Sequence, residues 1–275
     1  MAHALEASAP DLAEIKARQQ QTWASGDFSL VASRIVLAAE RLVDAADLQA
    51  GWHVLDVATG TGNAAIAAAR LGCTAVGVDY VPTLLERGRR RAAAEGLAIV
   101  MVEGDAEALP FADESFDAVT SVFGSMFAPD QERAAAELVR VCKPGGTIAL
   151  ASWTPVGFIG ELFRTVAEHV PPPPGVPSPM LWGDEEHLHG LLDAGIDSLS
   201  VTERTFTFRF LSAEHLVGFF RLWYGPTLKA FGALNDVAAD ALETDLIELV
   251  RRHDRLGGGA VAVPAAYTEA VATRR

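Results

Sequence analysis

The sequence has few cysteines and no grouped metal ligands. Of its 275 residues only two are cysteine, Cys73 and Cys142, and each stands alone in an apolar segment. Isolated apolar cysteines are typical of reduced core residues, so we expect two buried thiols. No cluster of cysteine and histidine has the spacing of zinc ligands. We therefore assign no metal site.

Basic residues are also scarce relative to acidic ones. The chain has 22 Lys and Arg against 36 Asp and Glu, a formal net charge of −14 at pH 7. Binding a nucleic-acid backbone needs a basic face, so this balance argues against a nucleic-acid partner. One basic run, Arg87 and residues 89–91, falls on a predicted helix. We interpret it as a solvated helix face.

Two further absences concern targeting. The N-terminus shows no basic segment followed by an apolar one, and no apolar run is long enough to span a bilayer. We expect no signal peptide, no membrane partner and a cytoplasmic location. Half of the residues are apolar, enough for one large domain or for one domain with an added subdomain. The oligomeric state is left open.

Strand-like and helix-like segments alternate along the middle of the chain. Predicted strands cover residues 54–57, 74–79, 99–103, 116–122 and 147–153, and helical segments separate most of them. This order is typical of an α/β fold with a parallel sheet and helices on both faces. Residues 199–210 alternate as a further strand, and 261–273 can return a last strand to the sheet.

A glycine turn follows the first strand, in the segment W-H-V-L-D-V-A-T-G-T-G-N. Gly60 and Gly62 permit backbone angles that other residues resist, and the first amides of the next helix can bind a polar ligand. Residues 60–65 satisfy the G-x-G-x-x-G/A pattern of dinucleotide binding, and Asp79 follows at the distance of a ribose-binding acid. Asp56 before the turn instead suits an ammonium group, and Asp105 after the third strand can approach an adenine amine.

Four ordered motifs carry a family resemblance over residues 50–153: V-L-D-V-A-T-G-T-G, V-G-V-D-Y, E-G-D-A-E-A-L-P-F-A-D-E-S-F-D-A-V and A-P-D-Q-E-R-A-A-A-E-L-V-R-V-C-K-P-G-G. The set resembles the class I S-adenosylmethionine-dependent methyltransferases, in the branch of the ubiquinone/menaquinone biosynthesis C-methyltransferases. It implies a Rossmann-like, doubly wound, mostly parallel seven-stranded sheet with an antiparallel last strand and an added helical lid. It also implies S-adenosylmethionine as cofactor and S-adenosylhomocysteine as product.

The resemblance assigns the methionine half of the cofactor to the first and fourth strands. Gly60 and Gly62 let the backbone approach it, and Asp56 supports the turn and the amino group. Ala58 stands where the family usually has glycine, which leaves the backbone less freedom. The segment from Ser121 to Phe123 is expected beside the methionine portion.

The adenosine half falls on the second and third strands. By the same resemblance, Asp79 accepts hydrogen bonds from the two ribose hydroxyls and Tyr80 covers the adenine. Asp105 accepts from the adenine amine, while the Ala106 amide donates to the ring. Both acids are predicted at carboxyl ends of strands, where such sheets bind their ligands.

The acceptor side is aromatic. Many relatives have polar or histidine residues near the transferring methyl group, where this chain has Met126 and Phe127, which we expect to form an apolar wall. The aromatic C-terminal part suits a lid over a small apolar or aromatic molecule. We predict an acceptor pocket built from Trp23, Met126, Phe127, Trp153, Phe220, Trp223 and Tyr224. No residue is assigned as a catalytic base.

The predicted organisation has three parts: an N-terminal helical cover at 1–50, a cofactor-binding core at 51–154, and a C-terminal part at 155–275 with the acceptor lid and the final strands. The predicted function is methyl transfer to a small acceptor. Two alternatives remain at this point: a nicotinamide-dependent oxidoreductase that uses the same glycine turn, and a non-catalytic module that only binds the cofactor.

Overall fold

Seven strands form one sheet in the computed structural model, which describes residues 11–275. In chain order they are β1 (His53–Val57), β2 (Thr74–Asp79), β3 (Val100–Glu103), β4 (Phe116–Val122), β5 (Cys142–Trp153), β6 (Ile196–Phe210) and β7 (Val261–Arg274). Their spatial order is β3-β2-β1-β4-β5-β7-β6. The first five pair in parallel, and β7 is antiparallel to both neighbours. The predicted doubly wound sheet with an antiparallel last strand is confirmed.

Eleven α-helices surround this sheet within the described residues. They are α1 (Leu12–Trp23), α2 (Phe28–Ala32), α3 (Val36–Ala45), α4 (Asn63–Arg70), α5 (Pro82–Ala94), α6 (Gln131–Val141), α7 (Phe158–His169), α8 (Glu185–Leu192), α9 (Ala213–Trp223), α10 (Gly225–Gly232) and α11 (Asp236–His253). Short 3-10 helices lie at Ser125–Phe127 and Pro179–Gly183. None of these helices is both long and apolar enough to cross a bilayer.

The direction of the crossovers creates the site. From β1 the chain moves outward to β2 and β3, whereas from β4 it moves the other way to β5. Right-handed crossovers therefore place α4 and α5 on one face and α6 on the other. The strand order reverses between β1 and β4, and such a reversal opens a crevice at the carboxyl ends of the strands.

Local sequence explains the elements that flank this crevice. Helix α4 is alanine-rich and begins directly after Gly62, whose φ of 85° is a left-handed conformation that glycine tolerates. Helix α5 begins at Pro82, which is preorganised for a first helical turn. Helix α6 is capped by the Asp130 side chain, which accepts a hydrogen bond from the Arg133 amide at 3.0 Å.

Two predicted strand starts differ from the structure by more than one residue. Strand β5 begins at Cys142 rather than at residue 147, because Cys142 pairs with Phe116 across an irregularity in the ladder that absorbs the Lys-Pro-Gly-Gly segment. Strand β6 begins at Ile196 rather than 199. Both cysteines are free and buried, as predicted.

The N-terminal and C-terminal parts both pack on the sheet. The predicted N-terminal cover is three helices, α1 to α3, and its residues 1–10 lie outside the described residues. In the C-terminal part, β6 and β7 complete the sheet, as expected of its final strands. Helices α9 and α10 pack close to α2 and α1 respectively, so helices of the N-terminal part contact helices of the C-terminal part.

Candidate active site

A cleft of about 920 Å³ opens at the carboxyl ends of the central strands. Most of the predicted cofactor residues line it: Asp56, Ala58, Gly60, Asp79, Tyr80, Asp105, Ala106 and Phe123. They come from four different strand ends or from the loops that follow them. The sequence motifs are thus brought to one place, although they are spread over nearly 70 residues.

Asp56 fixes the glycine turn through hydrogen bonds of its carboxylate. Its Oδ2 accepts hydrogen bonds from the Thr59 hydroxyl at 2.5 Å and the Ala65 amide at 3.1 Å, and its Oδ1 accepts one from the Thr120 hydroxyl at 3.1 Å. Burial raises the pKa of the Asp56 carboxyl to about 6, against the effect of these hydrogen bonds. Asp56 therefore fixes the turn and also lines the cleft.

Asp79 connects the end of β2 to the same turn. Its carboxylate accepts hydrogen bonds from the Gly60 amide at 2.8 Å and the Val81 amide at 2.9 Å. The side chain is buried, and burial raises its pKa to about 6. Each carboxylate oxygen has two lone pairs, so Asp79 can accept further hydrogen bonds from a ligand in the cleft.

Helix α1 supplies polar residues that sequence reasoning did not assign. The Lys16 ammonium pairs with Asp105 Oδ2 at 2.6 Å and with Glu107 Oε2 at 2.8 Å. The Gln20 amide donates to the Tyr80 carbonyl. Lys16 lines the cleft together with Gln19. No local sequence signal links this helix to the third strand, because the contacts join residues about 90 positions apart.

Part of the arginine run is not a solvated face. The Arg91 guanidinium donates to the Thr61 carbonyl at 2.7 Å, to the Thr61 hydroxyl at 2.9 Å and to Asn63 Oδ1 at 2.8 Å. Asn63 in turn donates to the Ala32 carbonyl at 2.9 Å. This corrects our interpretation of residues 87–91: Arg91 is half-buried and holds the glycine turn, whereas Arg90 remains exposed.

A second, smaller cavity adjoins the cleft. This aromatic chamber is lined by Trp23, Phe28, Val31, Ile35, Phe123, Phe127, Trp153, Ile159, Phe208, Phe220 and Tyr224. Five of these residues also line the cleft: Trp23, Phe28, Ile35, Phe123 and Phe127. Cleft and chamber therefore share one wall, made mostly of aromatic rings.

Trp23 is at the centre of the shared wall. Its ring lies edge-on to Phe127 at 4.9 Å between centroids, to Phe28 at 5.5 Å and to Tyr224 at 5.7 Å. It is the last residue of α1, so this helix contributes both to the polar cleft and to the aromatic wall. Phe28, Ile159 and Phe208 are chamber residues that we did not assign from the sequence.

Four predicted site residues do not line either cavity. Trp223 is 36% exposed, and its backbone packs against Gly26, which corrects its assignment to the acceptor pocket. Met126 is buried in the hydrophobic core and lines neither cavity, which corrects its assignment to the acceptor pocket. The Ser121 hydroxyl donates to the Val57 carbonyl at 2.7 Å and accepts from the Ser125 amide at 2.9 Å, so it fixes the backbone. Gly62 faces Met101 rather than the cleft.

The chain matches the family model described as a methyltransferase domain over residues 55–150. A demethylmenaquinone methyltransferase of Thermus thermophilus is 41% identical over 136 residues, which cover 48% of this chain and 62% of that protein. The chain belongs to the class I S-adenosylmethionine-dependent methyltransferases. An uncharacterised protein of Mycobacterium tuberculosis is 41% identical over 244 residues, covering 87% of this methyltransferase and 89% of the relative.

Solved structures show the same fold. A putative methyltransferase from Bacillus halodurans superposes on this methyltransferase with a TM-score of 0.58 at 20% identity, covering 86% of this chain and 97% of that chain. A phosphoethanolamine N-methyltransferase of Haemonchus contortus, solved with S-adenosylhomocysteine, superposes with a TM-score of 0.55 at 18% identity. The match covers 86% of this chain and 52% of that chain. The structures show the fold alone, whereas the family model and the Thermus relative indicate the activity: the protein is a methyltransferase enzyme.

Proposed function

We propose that this methyltransferase binds its cofactor in the polar cleft and methylates a small apolar acceptor in the aromatic chamber. The observation that carries the proposal is the wall shared by the two cavities, with Trp23, Phe28 and Phe127 facing both. A donor on one side and an acceptor on the other are then neighbours. The net charge of −14 supports a small molecule rather than a nucleic acid as acceptor.

The cleft fits S-adenosylmethionine in its polar groups. Asp56 and Asp79 are buried carboxylates that no basic side chain of the described residues pairs with. Buried carboxylates need hydrogen-bond donors, and a ligand with an ammonium group and ribose hydroxyls supplies them. In the proposed mode Asp79 holds the ribose hydroxyls and Asp56 supports the amino group near Gly60.

The adenine then lies between β2 and β3. Tyr80 covers one side of the ring, Asp105 accepts from the exocyclic amine and the Ala106 amide donates to a ring nitrogen. Asp105 Oδ1 already accepts a hydrogen bond from the Glu107 amide at 2.9 Å, and its Oδ2 faces Lys16. The carboxylate is thereby fixed in position before the cofactor binds.

The residues of the protein position the cofactor and the acceptor and exclude water from them. The bound cofactor supplies an electrophilic methyl group, and its positive charge is dispersed as that group moves to the acceptor. Aromatic faces such as that of Trp23 stabilise a neighbouring cation, and exclusion of water strengthens this interaction. Holding the two partners in line supplies much of the acceleration. Burial keeps the pKa of Tyr224 well above its usual value, so we assign no base.

A labelling experiment tests the acceptor class. The enzyme is incubated with methyl-labelled S-adenosylmethionine and a cell extract separated into aqueous, organic and protein fractions. We expect label in the organic fraction. The Ile159→Trp variant, which fills the chamber from α7, should lose this labelling while keeping its affinity for S-adenosylhomocysteine. Label confined to the aqueous or protein fraction contradicts the proposal.

A further inference from the structure

Helix α1 presents one lysine to the polar cleft. Lys16 lines the cleft beside Asp105, and its side chain is 28% exposed. Its ammonium donates to Asp105 Oδ2 at 2.6 Å and to Glu107 Oε2 at 2.8 Å. An ammonium group has three N–H donors, and these two hydrogen bonds are the ones that Lys16 makes within residues 11–275. One donor of Lys16 is therefore left for a ligand in the cleft.

The surroundings of Lys16 hold its ammonium in place. Glu107 is 3% exposed, and its second carboxylate oxygen accepts a hydrogen bond from the Asp130 amide at 2.8 Å. A buried carboxylate of this kind needs its cation, because an unpaired buried charge is costly. Helix α1 is also attached to the core by Gln20, whose amide donates to the Tyr80 carbonyl. The position of the ammonium is thus set before a ligand binds.

Lys16 and Asp105 place a hydrogen-bond donor next to an acceptor. Asp105 Oδ2 accepts from Lys16 and has a second lone pair for another donor. One edge of adenine has the complementary pattern, with the exocyclic amine as donor beside N7 as acceptor. Asparagine and glutamine read this edge in DNA because their amide presents an acceptor beside a donor. The pair of Lys16 and Asp105 offers the same two groups where the adenine is proposed to bind.

We infer that Lys16 donates a hydrogen bond to N7 of the cofactor's adenine, while Asp105 accepts from the exocyclic amine. This inference rests on the proposed function, because it takes the adenine to lie beside Asp105. Lys16 lies outside residues 55–150, which match the family model, so α1 adds this contact to those of the family motifs. The Ala106 amide is left for a ring nitrogen on the other side of the amine. The adenine is then recognised along both of its polar edges.

Two ligands that differ at one ring position test the inference. They are S-adenosylhomocysteine and its 7-deaza analogue, in which a C–H group replaces N7. Calorimetry measures the affinity of each for the wild-type enzyme. We expect the 7-deaza analogue to bind about tenfold more weakly, the lower end for a hydrogen bond to a charged group, because Lys16 is partly exposed. The Lys16→Met variant should bind both ligands with equal affinity, because methionine has no donor.

Lys143→Met is the matched control. Lys143 also pairs with a carboxylate, that of Asp117 at 2.6 Å, and lines neither cavity, so its variant should keep the tenfold preference. Equal affinities of the wild-type enzyme for the two ligands overturn the inference, whether or not Lys16→Met folds. A preference that survives in Lys16→Met also overturns it, because a lysine that only neutralises Glu107 would affect both ligands alike. An enzyme that binds neither ligand instead refutes the proposed function, so the two failures are distinguishable.

Discussion

Replacing Asp79 by asparagine isolates the contribution of one carboxylate to cofactor binding. In the free enzyme this carboxylate already accepts from the Gly60 and Val81 amides. The proposed ribose contacts would add two more hydrogen bonds to a charged group, each of about 1.5–3 kcal/mol. Asparagine keeps one acceptor oxygen and turns an NH₂ group toward a donor. We expect a loss of about 3 kcal/mol, which corresponds to roughly 100-fold in Kd.

Calorimetric titration with S-adenosylhomocysteine measures this change directly. The matched control is Asp117→Asn, because Asp117 also accepts from a backbone amide, that of His53 at 2.8 Å, and pairs with Lys143 at 2.6 Å. It lies on β4 toward the opposite edge of the sheet, so its variant should keep the wild-type affinity. Equal affinity in the two variants would refute the role given to Asp79.

Two further predictions concern the turn and its ionisation. Arg91→Ala removes the three hydrogen bonds that Arg91 donates to Thr61 and Asn63. It should therefore weaken S-adenosylhomocysteine binding by about tenfold and lower the melting temperature, whereas Arg90→Ala should change neither. Equal changes of melting temperature in the two variants would contradict this role of Arg91. Burial raises the pKa of the Asp56 and Asp79 carboxyls from 3.8 to about 6, so their protonated forms are favoured in the unliganded fold. The contribution of these two carboxyls to the stability of the unliganded fold therefore falls as the pH rises from about 4 to 6. The ligand donors favour the ionised forms, so the Kd for S-adenosylhomocysteine should rise below pH 6, and a Kd independent of pH from 5 to 8 would contradict the assignment.

Much of the fold is predictable because its signals are local. Val54, Leu55 and Val57 mark a buried strand, the glycines mark the turn after it, and the alanine run marks a helix. The rhythm of such units, with the family motifs, predicts the sheet and its antiparallel last strand. The start of β5 at Cys142 was harder to predict from the sequence, since it depends on pairing with Phe116 of the neighbouring strand.

The site was predictable where a residue follows a strand and less so where a helix covers it. Asp56, Asp79 and Asp105 are placed by the strand ends themselves. Lys16, Phe28 and Arg91 reach the site through tertiary packing, which leaves no motif in the sequence. Trp223 shows the converse case: it falls on the same helical stripe as Phe220, yet it lies at the end of α9 and faces outward.

In the proposed enzyme the polar cleft and the aromatic chamber are the two halves of one active site. A crystal structure with S-adenosylhomocysteine bound would show whether they are. We expect the ribose hydroxyls on Asp79, the adenine beside Tyr80 and Asp105, and the sulfur against the wall formed by Trp23 and Phe127. A sulfur that points away from this wall, with protein between it and the chamber, would refute the proposed site.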